Sequence, residues 1–170
     1  EALGFAALWT IDRVVYDNLE PLTTQAAAAS LTSKVRLGTS VMLLPLRDPV
    51  MTAKIFASLD VLSGGRVNWG SGKSSSLVEQ DAFENDKSTL HEQWLEAVRM
   101  IPRMWHEDVF SHDGRFFKIP PTQVLPKPVQ RPHPPMFAAC TKPESAASVG
   151  RLGLGALNFA IGSDDYLAEK

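Results

Sequence analysis

The chain has one cysteine, Cys140, in 170 residues, so it forms no intrachain disulfide. It has no apolar run approaching the roughly 20 residues that a helix needs to span a bilayer. It lacks an excess of either charge: 17 basic against 19 acidic residues leave a formal charge of -2, which excludes the broad cationic field of a nucleic-acid or anionic-membrane binder. Its four histidines, His91, His106, His112 and His133, show no spacing suited to a metal. These absences point to a protein that handles small molecules in a reducing cytoplasm, without a metal.

A hydrophobic content of 44% is enough for a single core, and no shift in composition divides the chain, so residues 1–170 read as one domain. Glu1 to Gly4 reads as the last turn of a helix with glycine in the cap position. Ser163-Asp164-Asp165-Tyr166 reads as the capped start of another. The expectation is an internal piece of a larger domain, truncated at both ends.

Short strand-like runs alternate with helical stretches. Phe5 to Trp9 reads as a strand, and Pro21 opens an alanine-rich helix ending near Leu31. Val35 to Val41 is a second strand, followed by a helix from Pro49 to about Leu62 that Ser63-Gly64-Gly65 stops. Arg66 to Gly70 is a third strand. After a polar loop, a helix from about Thr89 to Trp105 carries Leu90, Trp94, Leu95, Val98, Ile101 and Met104 at helical spacing, with Pro102 placed to bend its last turn. Val109 to Ile119 reads as a hairpin around Asp113-Gly114, and Pro120 to Pro135 as a proline-rich crossing; together they form an insertion. A strand from Met136 to Cys140, a helix from Pro143 to Leu152 and a strand from Ala156 to Ala160 complete the pattern. Such alternation requires a parallel sheet covered by helices, as a closed barrel or a doubly wound sheet, with ligands at the carboxyl ends of the strands.

Gly70-Ser71-Gly72-Lys73-Ser74 ends like a phosphate-binding loop, but the full pattern needs a glycine where Val67 stands, which argues against a nucleotide triphosphatase. What remains is a pair of glycines at a strand end, where a flat ligand can approach the backbone and Lys73 can meet a phosphate. A plain loop with a solvated lysine explains the same residues.

Longer segments are more specific. Leu37-Gly38-Thr39-Ser40-Val41-Met42-Leu43-Leu44-Pro45-Leu46-Arg47-Asp48-Pro49-Val50, Ala53-Lys54, Ser58-Leu59-Asp60-Val61-Leu62-Ser63-Gly64-Gly65-Arg66, Gly70-Ser71-Gly72, Leu125 to Pro135, Pro143-Glu144-Ser145-Ala146-Ala147 and Gly150-Arg151-Leu152-Gly153 follow one another in register. In this order they closely resemble the luciferase-like monooxygenase family. Asp12-Arg13-Val14-Val15-Tyr16-Asp17 looks like the branch whose cofactor is flavin mononucleotide (FMN) or the deazaflavin F420. The resemblance implies an α/β fold, a partial TIM (β/α)8 barrel of about strands two to six with an insertion between strands four and five. A piece of that kind has open sheet edges and is expected to be poorly stable in isolation.

The resemblance also implies the site. A non-proline cis peptide that backs the flavin ring falls at Ser40-Val41. Gly72 and Lys73 lie where relatives meet the flavin phosphate, Lys73 standing where several have arginine, which keeps the charge and gives up the bidentate fork. Thr141 and Ser145 bracket a helix start whose free amides suit a phosphate, although Thr141 is equally readable as an ordinary N-cap. Relatives carry a histidine after strand two, where this chain has Ile11-Asp12-Arg13. Asp12 is then a candidate acid or base and Arg13 a candidate partner for an anionic substrate or the flavin, with a loop salt bridge as the alternative reading of both. His91 reads as a solvated helix residue, Cys140 as a small buried one.

Three functions follow. In the first, reduced FMN and oxygen oxidise a small organic substrate, with a separate flavin reductase as partner. In the second, F420 exchanges hydride on the same scaffold. In the third, the protein binds flavin without catalysis. A homodimer is expected for the full-length protein.

Overall fold

Outside the hairpin after the longest helix, short β-rich runs are closed by helix-start signals, and this punctuation sets the architecture of residues 1–158, the part that the computed structural model describes. Strand β1 (Ala7–Thr10) leads to helix α1 (Pro21–Leu31), where Pro21 fills the first turn and the Glu20 carboxylate accepts the N–H of Thr23 at 2.7 Å. Strand β2 (Arg36–Thr39) and the two-residue β3 (Met42–Leu43) precede a single 3-10 turn over Leu44–Leu46 and helix α2 (Pro49–Leu62). Asp48 caps α2 by accepting the N–H of Met51 at 2.7 Å, and the left-handed pair Gly64 and Gly65 ends it. Strand β4 (Val67–Gly72) is followed by the short α3 (Leu77–Ala82) and the long α4 (Leu90–His106). The hairpin β5 (Phe110–Asp113) and β6 (Lys118–Thr122) comes next, then β7 (Met136–Cys140), α5 (Pro143–Arg151) and β8 (Gly155–Asn158).

The main sheet runs β1-β2-β4-β7-β8, every pairing parallel, with β3 continuing the second strand alongside β4. Strand order follows chain order without a reversal, which is the topology of a barrel and not of a doubly wound sheet. The rings of Trp9 on β1 and Phe137 on β7 meet edge to face, centroids 5.5 Å apart. Three strand spacings would part these strands by about 14 Å in a flat sheet, so the sheet is curled, with both rings on its concave side. The fold is a half-barrel.

The convex face carries the core. Leu37, Val67, Trp69, Ala138 and Cys140 alternate outward along the strands and pack under α2 and α4. Trp69 stands edge-on between Phe56 of α2 and Trp105 of α4, at 6.0 and 5.4 Å. The proline-rich crossing is fixed by a buried carboxylate: Asp60 on α2 accepts the N–H groups of Val129 and Gln130 and the Gln130 amide. Peptides Leu125-Pro126 and Arg131-Pro132 are cis.

Several expected bounds shift. The first strand is Ala7–Thr10, two residues into the expected Phe5-to-Trp9 run. The expected strand Val35 to Val41 is broken at Ser40-Val41, whose peptide is cis. The supposed polar loop after β4 holds α3. The last strand is seen as Gly155–Asn158; its expected end at Ala160 and the helix start at Ser163 to Tyr166 lie outside the described residues. Among the described residues no helix is long and apolar enough to cross a membrane, and no group of metal-ligating side chains occurs.

Candidate cofactor site

Because β2, β4 and β7 are neighbouring parallel strands, their carboxyl ends lie side by side, and the residues expected to hold the cofactor follow those ends. Ser40-Val41 follows β2, Gly72 closes β4 with Lys73 next, and Thr141 follows β7. Ser40, Val41, Ala139, Leu157 and Asn158 line a small cleft of about 80 Å3 on this rim. Gly72 packs against two of these residues: a Cβ there would stand 2.5 Å from Cγ2 of Val41 and 3.7 Å from Cβ of Ala139. Gly70 is tighter, for its Cβ would lie 1.9 Å from the carbonyl oxygen of Thr39. The Thr39 hydroxyl also donates to the Gly70 carbonyl at 2.8 Å. The glycine pair is therefore required by close approach of the second strand, and the same lack of side chains leaves the cleft open to a flat ring.

A larger hollow of about 230 Å3 lies between α4 and α5, lined by Val98, Arg99, Pro102, His133, Met136 and the turn Leu152 to Leu154. It belongs to the amino ends of the strands, since Met136 begins β7 and Leu154 precedes β8. In parallel sheets ligands bind at the opposite end, so the smaller cleft is the functional candidate.

Around the cleft stand groups suited to a phosphate. Lys73 is exposed, with its ammonium in no ion pair among the described residues. Helix α5 starts beside the end of β7. Lys142, extended as a residue before proline must be, is its N-cap and makes no side-chain cap, so Thr141 is not the capping residue that its type suggests. Ser145 lies in the first turn, half-buried.

Asp12 and Arg13 take the salt-bridge alternative. Asp12 is 2% exposed; it accepts the N–H of Leu43 at 2.9 Å and both Nε and Nη2 of Arg47, at 3.0 and 2.8 Å. Burial opposes the Arg47 charge, but the bond to Asp12 and the charges of Asp12 and Glu20 outweigh it and hold the guanidinium above its ordinary value. A carboxylate engaged in this way ties the loop after β1 to the chain beyond the Ser40-Val41 bend. Arg13 donates to Glu79 at 3.3 Å and lies over the Tyr16 ring. Nothing in the local sequence around Arg47 or Glu79 marks a partner 35 or 66 positions away. His91 is exposed and stacks on Trp94. Cys140 is buried and burial pushes its thiol up, away from the nucleophilic form.

The profile of the luciferase-like monooxygenases matches residues 1–170. A crystal structure of the monooxygenase RslO1 from Streptomyces bottropensis is 31% identical and superposes with a TM-score of 0.90, covering 99% of this chain and 53% of that one. The F420-dependent hydroxymycolic acid dehydrogenase of Mycobacterium tuberculosis is 33% identical over 91% of this chain and 45% of its own length. The oxygenase component of the flavin-dependent trigonelline monooxygenase of Acinetobacter baylyi is 29% identical over 84% of this chain and 41% of its own. The chain thus spans about half the length of the relatives it matches. With the half-barrel in place, the match over residues 1–170 settles descent: this chain belongs to the luciferase-like monooxygenase family.

Proposed function

We propose that the protein is a flavin-dependent monooxygenase, which uses reduced FMN and oxygen to oxidise a small organic substrate. One observation carries the reading: Val41, just past the end of β2, and Ala139 of β7 line one cleft on the carboxyl rim, and Gly72, the last residue of β4, packs against both. Bound there, the flavin would supply the redox chemistry. This chain would supply the binding surface. Ser40, Val41 and Gly72 would back the ring, while Lys73, Thr141, Ser145 and the start of α5 would hold the phosphate. Asp12 would fix the loop after β1, and Arg13 would stand at the mouth within reach of an anionic group.

The similarity to RslO1 and to an oxygenase component supports this choice and, with it, a separate flavin reductase as partner. The full-length protein is proposed to be a cytoplasmic homodimer. The second reading, F420-dependent hydride transfer, is favoured by the 33% identity to the hydroxymycolic acid dehydrogenase.

Absorption spectra of the complete gene product, recorded with FMN and with F420, test the reading. A perturbed FMN spectrum together with oxygen consumption that needs both reductase and substrate supports the monooxygenase. A perturbed F420 spectrum with substrate-dependent reduction and no oxygen uptake supports the second reading. No perturbation by either leaves neither standing.

A further inference from the structure

Glu79 is fully buried, and the chemistry above makes no use of it. It sits on the six-residue α3, in a segment whose composition is that of a solvated loop. Its carboxylate accepts from three donors on two loops. From the loop after β1 come Nη1 of Arg13 at 3.3 Å and the backbone N–H of Val14 at 3.0 Å. From the loop after β4 comes the hydroxyl of Ser74 at 3.0 Å.

Ser74 directly follows Lys73 and has a left-handed backbone, φ +67. That conformation is unfavourable for a residue with a side chain and persists where neighbours hold it. Here they do: Ser74 Oγ donates to Glu79 and accepts the N–H of Ser76 at 3.2 Å, and its carbonyl accepts from Gln80 at 3.4 Å. The direction in which the chain presents Lys73 is thus set from α3. An ionised carboxylate only accepts, so it satisfies all three donors together; an amide of the same shape turns its own N–H2 on one of them.

Resting on the cofactor reading above, we propose that Glu79 is a positioning residue. Through Ser74 it aims Lys73 at the cofactor phosphate, and through Arg13 and Val14 it holds the loop after β1 against the same mouth. Recognition of the phosphate, rather than of the ring, then depends on this carboxylate.

The test is a pair of binding titrations on the complete gene product, followed by absorbance or fluorescence. FMN is compared with riboflavin, which lacks the phosphate, and F420 with its phosphate-free deazaflavin ribityl analogue. Wild type should prefer the phosphorylated member of one pair. Glu79→Gln should bind that member about tenfold more weakly, a loss of the size expected when a charge-assisted contact is misdirected, with the phosphate-free analogue within about twofold of wild type. Ser74→Ala should act in the same direction, and the double variant should be no weaker than the weaker single one, since both break one linkage. A uniform loss for both members would mark Glu79 as merely structural and overturn the proposal, as would an unchanged ratio, while the cofactor reading stands. A wild type that shows no preference for phosphate, or binds neither pair, removes that reading and this proposal together. If Glu79→Gln does not fold, the ratio measured for Ser74→Ala decides by the same criterion.

Discussion

Asp12 and Arg47 form a two-point ion pair across 35 positions of sequence, Nε to Oδ2 at 3.0 Å and Nη2 to Oδ1 at 2.8 Å, and the same carboxylate takes the N–H of Leu43. The loop after β1 is thereby fixed to the chain just beyond the Ser40-Val41 bend. Asp12→Asn keeps the size but leaves the guanidinium, 22% exposed, with only the more exposed Glu20 carboxylate as its anion. Breaking an enclosed pair from one side costs about 3 kcal/mol. Urea unfolding of the complete protein should show a loss of that order; a change below about 0.5 kcal/mol, the level of an ordinary surface substitution, would make the pair incidental.

Gly70 and Gly72 should separate stability from binding. At Gly70 an added methyl meets backbone, the Thr39 carbonyl, which cannot move without parting β2 from β4. Gly70→Ala should destabilise by about 1 to 3 kcal/mol, the range for overpacking. At Gly72 the methyl meets the tip of Val41, a side chain that can rotate into the cleft. Gly72→Ala should cost little stability and weaken cofactor binding, as read by thermal midpoint and cofactor titration on the same samples. Equal destabilisation by both variants would remove the distinction.

How much of this was legible in sequence depends on how local each signal is. Helix α2 was read at both ends, because Asp48, Pro49 and the pair Gly64-Gly65 carry cap and stop signals within a few residues. The strand Met136–Cys140 was equally clear, bounded by Pro135 and by Thr141-Lys142-Pro143. Helix α3 is not legible, since six residues in a serine-rich segment have no helical period of their own; Glu79 and Gln80 hold it by reaching to Arg13, Val14 and Ser74. The rim was legible only as separate glycines, hydroxyls and a lysine, and the resemblance put them in one place. The struts between loops, Asp12 to Arg47 and Arg13 to Glu79, are long-range pairs that no window of sequence contains.

Lys73 supplies the positive charge proposed for the phosphate, so Lys73→Met should weaken binding of the phosphorylated cofactor about tenfold, or roughly 1.4 kcal/mol. Because Lys73 is exposed, its contribution should shrink as salt is raised, with wild type and variant converging at high ionic strength. Titrations at two salt concentrations check this. A variant that keeps wild-type affinity at low salt would return Lys73 to the solvated surface.

The acid limb of stability should report Glu96. This carboxylate, on α4, holds the β5-β6 hairpin by accepting Nε2 of His112 at 3.0 Å and the N–H groups of Phe116 and Phe117. Burial raises its pKa, but the His112 bond, the two amides and the His112 charge prevail, leaving it below the ordinary 4.5. A carboxyl group with a depressed folded-state pKa binds its proton more readily when unfolded. Its contribution is therefore complete above the unfolded value near 4.5 and is lost as pH falls from there through the folded value. Glu96→Gln removes the titration: the variant should be less stable at neutral pH, and its thermal midpoint should fall less steeply than that of wild type below pH 4.5. Parallel curves for the two proteins across that window would show that the hairpin does not depend on the charge of Glu96.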